Sequence, residues 1–195
     1  MSLRSARPAF LRTFVAVKIA PPPALRRLHS RLVELGNRFR PVALDNLHVT
    51  LKFLGDTTEE QVPAICAVLK RVIDEYSATS VILRGLGAFP NVRRPAVVWV
   101  GLAQAETLCH LAGEIDAGLL DLGFTPESRS FQPHLTLLRT KSRPPDSLFS
   151  LLSEESQSDF GMALIEEVEF LQSELTRSGS RYLTLATFAL RPIVR

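Results

Sequence analysis

The sequence has few cysteines, and this scarcity excludes several classes of protein. Its 195 residues include only Cys66 and Cys109, which lie far apart in segments with helical patterning. Two such cysteines form neither a disulfide framework nor a zinc site of recognisable spacing. A reducing, cytoplasmic environment is therefore expected.

Long apolar runs are also missing. No stretch reaches the roughly 18 apolar residues that a membrane-spanning helix needs. The apolar segment 14–20 contains Lys18 and lacks a cleavage site, so we interpret it as a strand and not as a signal peptide. The sequence predicts no association with a membrane.

The net charge and the length of the chain further narrow the class of protein to which it can belong. The formal net charge is only +3, and just four of the 23 basic residues are lysines. The planar guanidinium of arginine suits phosphate recognition, although codon usage in a GC-rich genome gives the same bias. The length of 195 residues suits either one large domain or two small lobes in close contact within residues 1–195, and the hydrophobic content of 46% is ample for a core.

One short pattern occurs twice. The segments 46–53 and 132–137 both contain His-x-Thr-Leu, with the histidines at positions 48 and 134. Side chains two residues apart on a strand share a face, so His48 should lie beside Thr50, and His134 beside Thr136. The intervening apolar residues are predicted to point into a core. These residues are Val49, Leu51, Phe53, Leu135 and Leu137.

The elements around the two motifs repeat in the same order. The first half contains strand 13–19, then a helix marked by leucines from Leu25 to Leu35, then motif strand 47–54. The second half contains strand 97–100, then a helix through Leu108 to Leu122, then motif strand 132–138. Two such units can pack about a pseudo-two-fold axis. The motif strands would then face each other across a cleft.

The other segments complete an α+β pattern. Residues 1–12 are predicted to form a loose arm and 85–95 a loop between the halves, from which Arg93 or Arg94 could reach an RNA backbone. A helix start near 144 and a hairpin turn at 176–180 are expected towards the C-terminus. Hairpin-linked neighbours indicate antiparallel or mixed sheets.

Two histidines in one cleft suit general acid–base chemistry. The reference pKa of histidine is about 6.5, so one imidazole can be neutral while its partner is protonated near neutral pH. The threonine hydroxyls can donate hydrogen bonds to phosphoryl oxygens. Since no carboxylate cluster accompanies the motifs, phosphoryl transfer without a metal is favoured. Zinc binding by His48 and His134 is the chemical rival, but it lacks a third ligand of recognisable spacing.

The motifs resemble those of a known family. Asn46–Gly55 and Phe131–Arg139 resemble the paired His-x-Thr signature of the 2H phosphoesterase superfamily, and in particular its RNA 2′,3′-cyclic phosphodiesterases, once called 2′-5′ RNA ligases. The segment Gly87–Asn91 with Pro95 and Trp99 resembles their central region. Ser173–Leu175 with Tyr182 resembles their C-terminal hairpin.

This resemblance implies a bilobal α+β fold of two pseudo-symmetric lobes, with mostly antiparallel sheets, outer helices and a central cleft. It implies hydrolysis of the 2′,3′-cyclic phosphate at an RNA end to a 2′-phosphomonoester, without a cofactor, and a weak reversible 2′-5′ ligation of tRNA halves. The substrates would be RNA ends, tRNA halves and 2′,3′-cyclic nucleotides. A cytoplasmic monomer is expected.

The resemblance also implies roles for individual residues. His48 would be the proton donor and His134 the proton acceptor, although the near symmetry of the motifs allows the reverse. Thr50, Thr136 and Arg139 would bind the phosphate. Arg139 lies five residues after His134, so strict alternation would place it on the opposite face unless the strand ends or twists.

Two further residues have open roles. Lys52 lies four residues after His48, so alternation along the strand would place its side chain in the cleft with His48. We expect it either to contact substrate there or to cap the strand end. Phe14 corresponds to an N-terminal aromatic of the family and could stack on a base or belong to the core. A nucleotide- or RNA-binding module without useful catalysis is the alternative function.

Overall fold

The computed structural model describes residues 10–36, 39–140, 144–176 and 179–193. They form two antiparallel sheets and four α-helices, which confirms the predicted α+β class. The strands are β1 Phe10–Lys18, β2 Phe39–Pro41, β3 His48–Thr58, β4 Thr79–Phe89, β5 Val97–Ala103, β6 His134–Thr140, β7 Asp159–Ile165, β8 Glu167–Thr176 and β9 Gly179–Ala189. The helices are α1 Pro23–Glu34, α2 Val62–Ile73, α3 Glu106–Gly118 and α4 Asp146–Glu154.

The two sheets have matching strand orders. The first sheet runs β3-β1-β8-β9, and the second runs β2-β6-β5-β4-β7 with β2 as an added edge strand. Each motif strand therefore lies beside the opening strand of its own half, β3 beside β1 and β6 beside β5. Strands β3 and β6 also approach each other at the middle of the molecule. The predicted two-lobed arrangement is confirmed.

The helices cover one face of each sheet. Helices α2 and α3 contact strands of the first sheet, whereas α1 and α4 contact strands of the second. Their leucine and isoleucine stripes are buried, as Leu25, Leu32, Ile65 and Ile115 illustrate. Since apolar side chains fill one face of each sheet, the opposite face is left for the cleft.

Local chemistry explains where the helices begin. Pro23 occupies the first position of α1, where the missing N–H has no intrahelical partner in any case. Before α2, the Thr58 N–H donates to Gln61 Oε1 at 2.9 Å in a capping box. Within the described residues, no helix is long and apolar enough to span a membrane.

Two predicted segments differ from the structure. Residues 85–89 continue β4 instead of forming a loop, and the connection to β5 is confined to 90–96, after a cis Phe89–Pro90 peptide. Residues 10–12 pair with β3, so the predicted N-terminal arm is wrong for this part, while 1–9 lie outside the described residues. Residues 141–143 and the centre of the predicted turn at 176–180 also lie outside them.

Candidate active site

The first motif lies at the start of β3. His48 stands opposite Lys18 of β1 and Thr50 stands opposite Ala16, so both motif side chains share one face of the first sheet. Val49, between them, is 1% exposed and belongs to the core. The alternation predicted from the sequence therefore holds over these three residues.

The second motif repeats this arrangement on β6. His134 stands opposite Gly101 of β5 and Thr136 opposite Trp99, again on one face. Leu135 is fully buried on the other face. Backbone geometry is thus shared by the two motifs, while the residues opposite them differ.

Both imidazole rings are fixed in the same way. His48 Nδ1 lies 2.7 Å from the carbonyl oxygen of Asn46, and His134 Nδ1 lies 2.8 Å from that of Gln132. A carbonyl can only accept, so each Nδ1 carries the hydrogen and donates it. Each Nε2 is then the nitrogen that can give or take a proton from a ligand.

A β-bulge interrupts each motif strand at the same place. The register between β1 and β3 shifts at Leu51, and the register between β5 and β6 shifts at Leu137. A bulge places two residues of one strand opposite one residue of its neighbour, which reverses the alternation beyond it. The residues that follow each bulge therefore lie on the faces opposite to those that simple alternation predicts.

The second bulge turns Arg139 towards the cleft. Arg139 stands opposite Val97, which is two residues from Trp99 and therefore on the face of Thr136 and His134. Arg139 is exposed, and its neighbour Leu138 is fully buried. Arg139 therefore faces the cleft although it lies five residues after His134, because the bulge reverses the alternation between them.

The first bulge moves Lys52 away from the cleft, so the predicted orientation of this lysine is wrong. Lys52 stands opposite the core residue Val15 and is 3% exposed. Its Nζ donates to Asp116 Oδ1 at 2.5 Å and to the Thr125 carbonyl at 2.6 Å. A strand side chain that is paired with helix α3 in this way cannot contact substrate in the cleft.

Phe53 takes the place that alternation assigned to Lys52. It was predicted to enter the core, yet it stands opposite Phe14 on the cleft face and is 60% exposed. By symmetry of the two motifs, Phe53 is the counterpart of Arg139, since each follows its histidine by five residues. The reversal at the bulge accounts for both positions.

Aromatic rings surround His48. Phe14 and Tyr182 lie with their ring centroids 5.2 and 5.0 Å from the imidazole, and they contact each other. Phe14 is only 3% exposed, which favours packing over base stacking for this residue. Phe53, 6.0 Å from Phe14, is the open aromatic surface beside the motif.

A second aromatic pair surrounds His134. Phe89 lies edge-on at 5.0 Å and Trp99 at 6.4 Å. The Trp99 ring occupies the space above Gly87, where an added Cβ would stand 2.4 Å from ring carbons. This close approach explains the glycine in the central segment 87–91. The Nε1–H of Trp99 is buried without a hydrogen-bond partner among the described residues.

Burial is the main influence on the titration of His48. It lowers the pKa of this imidazole because the charged form loses hydration, while the hydrogen bond to Asn46 acts in the opposite direction. The charges of Arg139 and His134 lower the pKa further, and Glu169 raises it. These influences show that residues of both sheets act on one group across the cleft.

A small pocket adjoins His48 on the first sheet. It is lined by Lys18, Asp45, Asn46, His48, Leu171, Tyr182 and Thr184. The nearby Glu169 is 7% exposed and accepts from Lys18 Nζ at 2.9 Å, while its Oε2 has no partner among the described residues. Sequence reasoning missed Glu169 because its approach to the motif depends on the pairing of β1 with β8.

The described residues contain no group of three or more histidine, cysteine, aspartate or glutamate side chains arranged to hold a metal ion. The features brought together are two imidazoles, two hydroxyls and one guanidinium. Neither Thr50 nor Thr136 uses its hydroxyl in a hydrogen bond to another residue of the described ranges. This set of donors and proton carriers suits a phosphate ester.

A duplicated α+β fold with a His-x-Thr strand in each half defines the class of two-histidine phosphoesterases. The family model "LigT like Phosphoesterase" matches the chain twice, over residues 17–99 and 100–182. The protein belongs to this family. The two matches divide the chain between the motifs, in agreement with the internal duplication.

Individual relatives agree with this assignment. The chain is 36% identical to an RNA 2′,3′-cyclic phosphodiesterase of Aeropyrum pernix, over 83% of this chain and 92% of that protein. It is 35% identical to one of Methanothermobacter thermautotrophicus, over 84% and 89%. Among solved structures, TT0787 of Thermus thermophilus is 29% identical with a TM-score of 0.77, covering 94% of this chain and 100% of that one. Escherichia coli LigT complexed with 3′-AMP is 26% identical with a TM-score of 0.70, covering 93% and 99%.

Proposed function

We propose that this protein hydrolyses the 2′,3′-cyclic phosphate at the end of an RNA to a 2′-phosphomonoester. The observation that carries the proposal is the duplicated His-Thr pair, in which both Nδ1 atoms are held by backbone carbonyls and both Nε2 atoms remain for proton transfer. The names of the relatives in Aeropyrum and Methanothermobacter support the substrate. The complex of E. coli LigT with 3′-AMP supports binding of a nucleotide by a protein of this fold.

In the proposed mechanism, the two histidines act together. Nε2 of His134 takes a proton from water, whose oxygen attacks phosphorus. The bond from phosphorus to O3′ breaks, and Nε2 of His48 gives its proton to O3′. The phosphate stays on O2′. Each proton transfer contributes about 10²–10⁴ in rate.

The remaining groups stabilise the phosphate. Thr50 and Thr136 donate hydrogen bonds to its non-bridging oxygens, and Arg139 offsets the negative charge that accumulates as water attacks. Strain in the five-membered ring makes O3′ a good leaving group, so no metal is required in this scheme. If the 5′-hydroxyl of a second RNA replaces water, the same steps form a 2′-5′ linkage, as between tRNA halves.

The first experiment measures turnover of 2′,3′-cyclic AMP and identifies the product by chromatography. A 2′-phosphate is expected, and a 3′-phosphate would show that the leaving oxygen is assigned incorrectly. His48→Ala and His134→Ala should each lower kcat by about 10²–10⁴ without unfolding the protein. His110→Ala, an exposed histidine of α3, is the matched control.

A second experiment assigns the acid and the base. Sulfur in place of O3′ gives a leaving group that needs little protonation, so the sulfur substrate should restore most of the activity of His48→Ala and little of that of His134→Ala. The opposite pattern would exchange the two roles.

Binding of the cyclic nucleotide without turnover by the wild-type protein would favour the alternative, an RNA- or nucleotide-binding module. We also propose that the protein acts as a cytoplasmic monomer. One chain carries both motifs, and its two cysteines are free. Gel filtration of the active protein tests the oligomeric state.

A further inference from the structure

A second arginine shares the cleft face with Arg139. Arg40 of the edge strand β2 stands directly opposite Arg139, and both side chains are exposed. Like charges at directly opposed positions destabilise an antiparallel pair. Their juxtaposition next to a phosphate-binding motif therefore points to an anion that lies between or beside them.

The position of Arg40 follows from the register of the second sheet. Phe39 is buried on the core face, so Arg40, its neighbour in β2, points to the face of Thr136 and His134. Adjacent strands lie about 4.8 Å apart. Arg40 therefore lies one strand away from Arg139.

Two more arginines stand at the same end of this sheet. The Asn91 side chain accepts hydrogen bonds from the backbone N–H groups of Arg93 and Arg94 at 3.0 and 3.1 Å, which fixes the turn between β4 and β5. Thr140, next to Arg139, donates through Oγ1 to the Pro95 carbonyl at 2.5 Å. The turn is thereby tied to the end of β6, and both arginine side chains are exposed.

The segments that meet here contain no acidic residue. Residues 39–44, 89–97 and 134–140 include four of the 23 basic residues of the chain, at positions 40, 93, 94 and 139, and none of its 20 acidic residues. Elsewhere, cations such as Lys18, Lys52 and Arg31 are paired with carboxylates. Within the described ranges, none of the arginines at positions 40, 93, 94 and 139 forms an ion pair.

We propose that Arg40, together with Arg93 and Arg94 of the turn at the same end of the sheet, binds the backbone phosphates on the 5′ side of the terminal nucleotide. The cyclic phosphate is the last phosphate of the RNA, so further phosphates can lie only in the 5′ direction. Arg139 binds the reacting phosphate, and Arg40 binds the next phosphate along the RNA. The preferred substrate is thus an RNA end rather than a free cyclic mononucleotide. This inference rests on the proposed function.

The test compares two substrates that share a 3′ nucleotide. One is 2′,3′-cyclic AMP, and the other is a pentanucleotide that ends in adenosine 2′,3′-cyclic phosphate. The wild-type protein should prefer the pentanucleotide in kcat/KM. The specificity ratio is kcat/KM for the pentanucleotide divided by kcat/KM for 2′,3′-cyclic AMP. Arg40→Gln should lower this ratio by about tenfold, as expected for loss of one charge-assisted hydrogen bond to phosphate.

Salt dependence gives an independent readout. Each lost phosphate contact should reduce the slope of log kcat/KM against log salt by about 0.7 for the single-stranded substrate. Arg93→Gln combined with Arg94→Gln should likewise reduce the slope. Arg71→Gln removes the same charge from the exposed side of α2 and should leave both the ratio and the slope unchanged.

The outcomes separate this inference from the proposed function. If wild-type protein hydrolyses neither substrate, the proposed function fails. If it hydrolyses both and Arg40→Gln leaves their ratio and the salt slope unaltered, the second phosphate site is refuted while the function stands. A variant that loses activity equally on both substrates would assign Arg40 to the reacting phosphate and also overturn the inference. A melting temperature equal to or above that of the wild type, as removal of like-charge repulsion predicts, shows that Arg40→Gln is folded.

Discussion

Replacement of Lys52 distinguishes a structural role from a substrate contact. Lys52→Met keeps most of the side-chain volume and removes the charge that pairs with Asp116. Breaking a buried ion pair from one side costs about 3–5 kcal/mol, because the other charge is left without compensation. Asp116 is partly exposed and still accepts from the Glu127 N–H at 3.1 and 3.3 Å. The expected loss is therefore at the lower end, about 3 kcal/mol.

This loss converts into a measurable change in melting temperature. For a chain of this size, 1 kcal/mol corresponds to about 2–4 °C, so Lys52→Met should melt about 6–12 °C below the wild type. Thermal unfolding followed by circular dichroism measures the difference. Lys70→Met breaks an exposed pair with Asp74 and should cost no more than about 0.5 kcal/mol. Adding Asp116→Asn to Lys52→Met should recover part of the lost stability, since it removes the uncompensated carboxylate.

Activity completes the test of Lys52. Well below both melting temperatures, Lys52→Met should have the KM of the wild type for 2′,3′-cyclic AMP. An unchanged melting temperature together with a raised KM would refute the structural role and return Lys52 to the cleft.

Three further predictions concern the chemistry and packing of the site. Treatment with EDTA should leave turnover of 2′,3′-cyclic AMP unchanged, whereas a loss that zinc restores would support a metal site at His48 and His134. Gly87→Ala should displace Trp99, lower stability by about 1–3 kcal/mol and reduce kcat, whereas Gly113→Ala, which has open space around it in α3, should do neither. Arg139→Gln should raise the pKa of His48 in an NMR titration because it removes a nearby positive charge, and Glu169→Gln should lower it; coincident titration curves would contradict the arrangement of charges around His48.

Much of the site follows from local sequence. Alternation along a strand is a local property, so the shared face of His48 and Thr50, and of His134 and Thr136, follows from spacing alone. The order of strand, helix and motif strand in each half also predicts the duplicated fold. Leucine stripes at helical spacing identify α1 and α3 for the same reason.

The errors arise where two strands must be known together. A bulge is a property of strand pairing, and nothing in the sequence around Leu51 or Leu137 marks the extra residue. Simple alternation therefore predicts the cleft face for Lys52 and the core face for Phe53, the reverse of their positions, and it leaves the orientation of Arg139 open. The partner of Lys52 is 64 residues away in the chain, so its burial depends on the packing of α3 against β3. Close approaches such as that of Trp99 to Gly87 likewise require the pairing of β4 with β5.

The symmetry of the backbone and the asymmetry of the side chains have different consequences. Equivalent bulges and equivalent Nδ1 contacts give two histidines in the same geometry, yet acid–base catalysis requires them to differ in protonation. The differences come from their surroundings, since Phe53 follows one bulge and Arg139 the other, and Glu169 lies on the side of His48 alone. In the free protein, burial and Arg139 hold the pKa of His48 below its ordinary value. A bound phosphate anion would offset the charge of Arg139 and favour the protonated imidazole, so in the proposed mechanism the substrate itself prepares His48 to donate its proton.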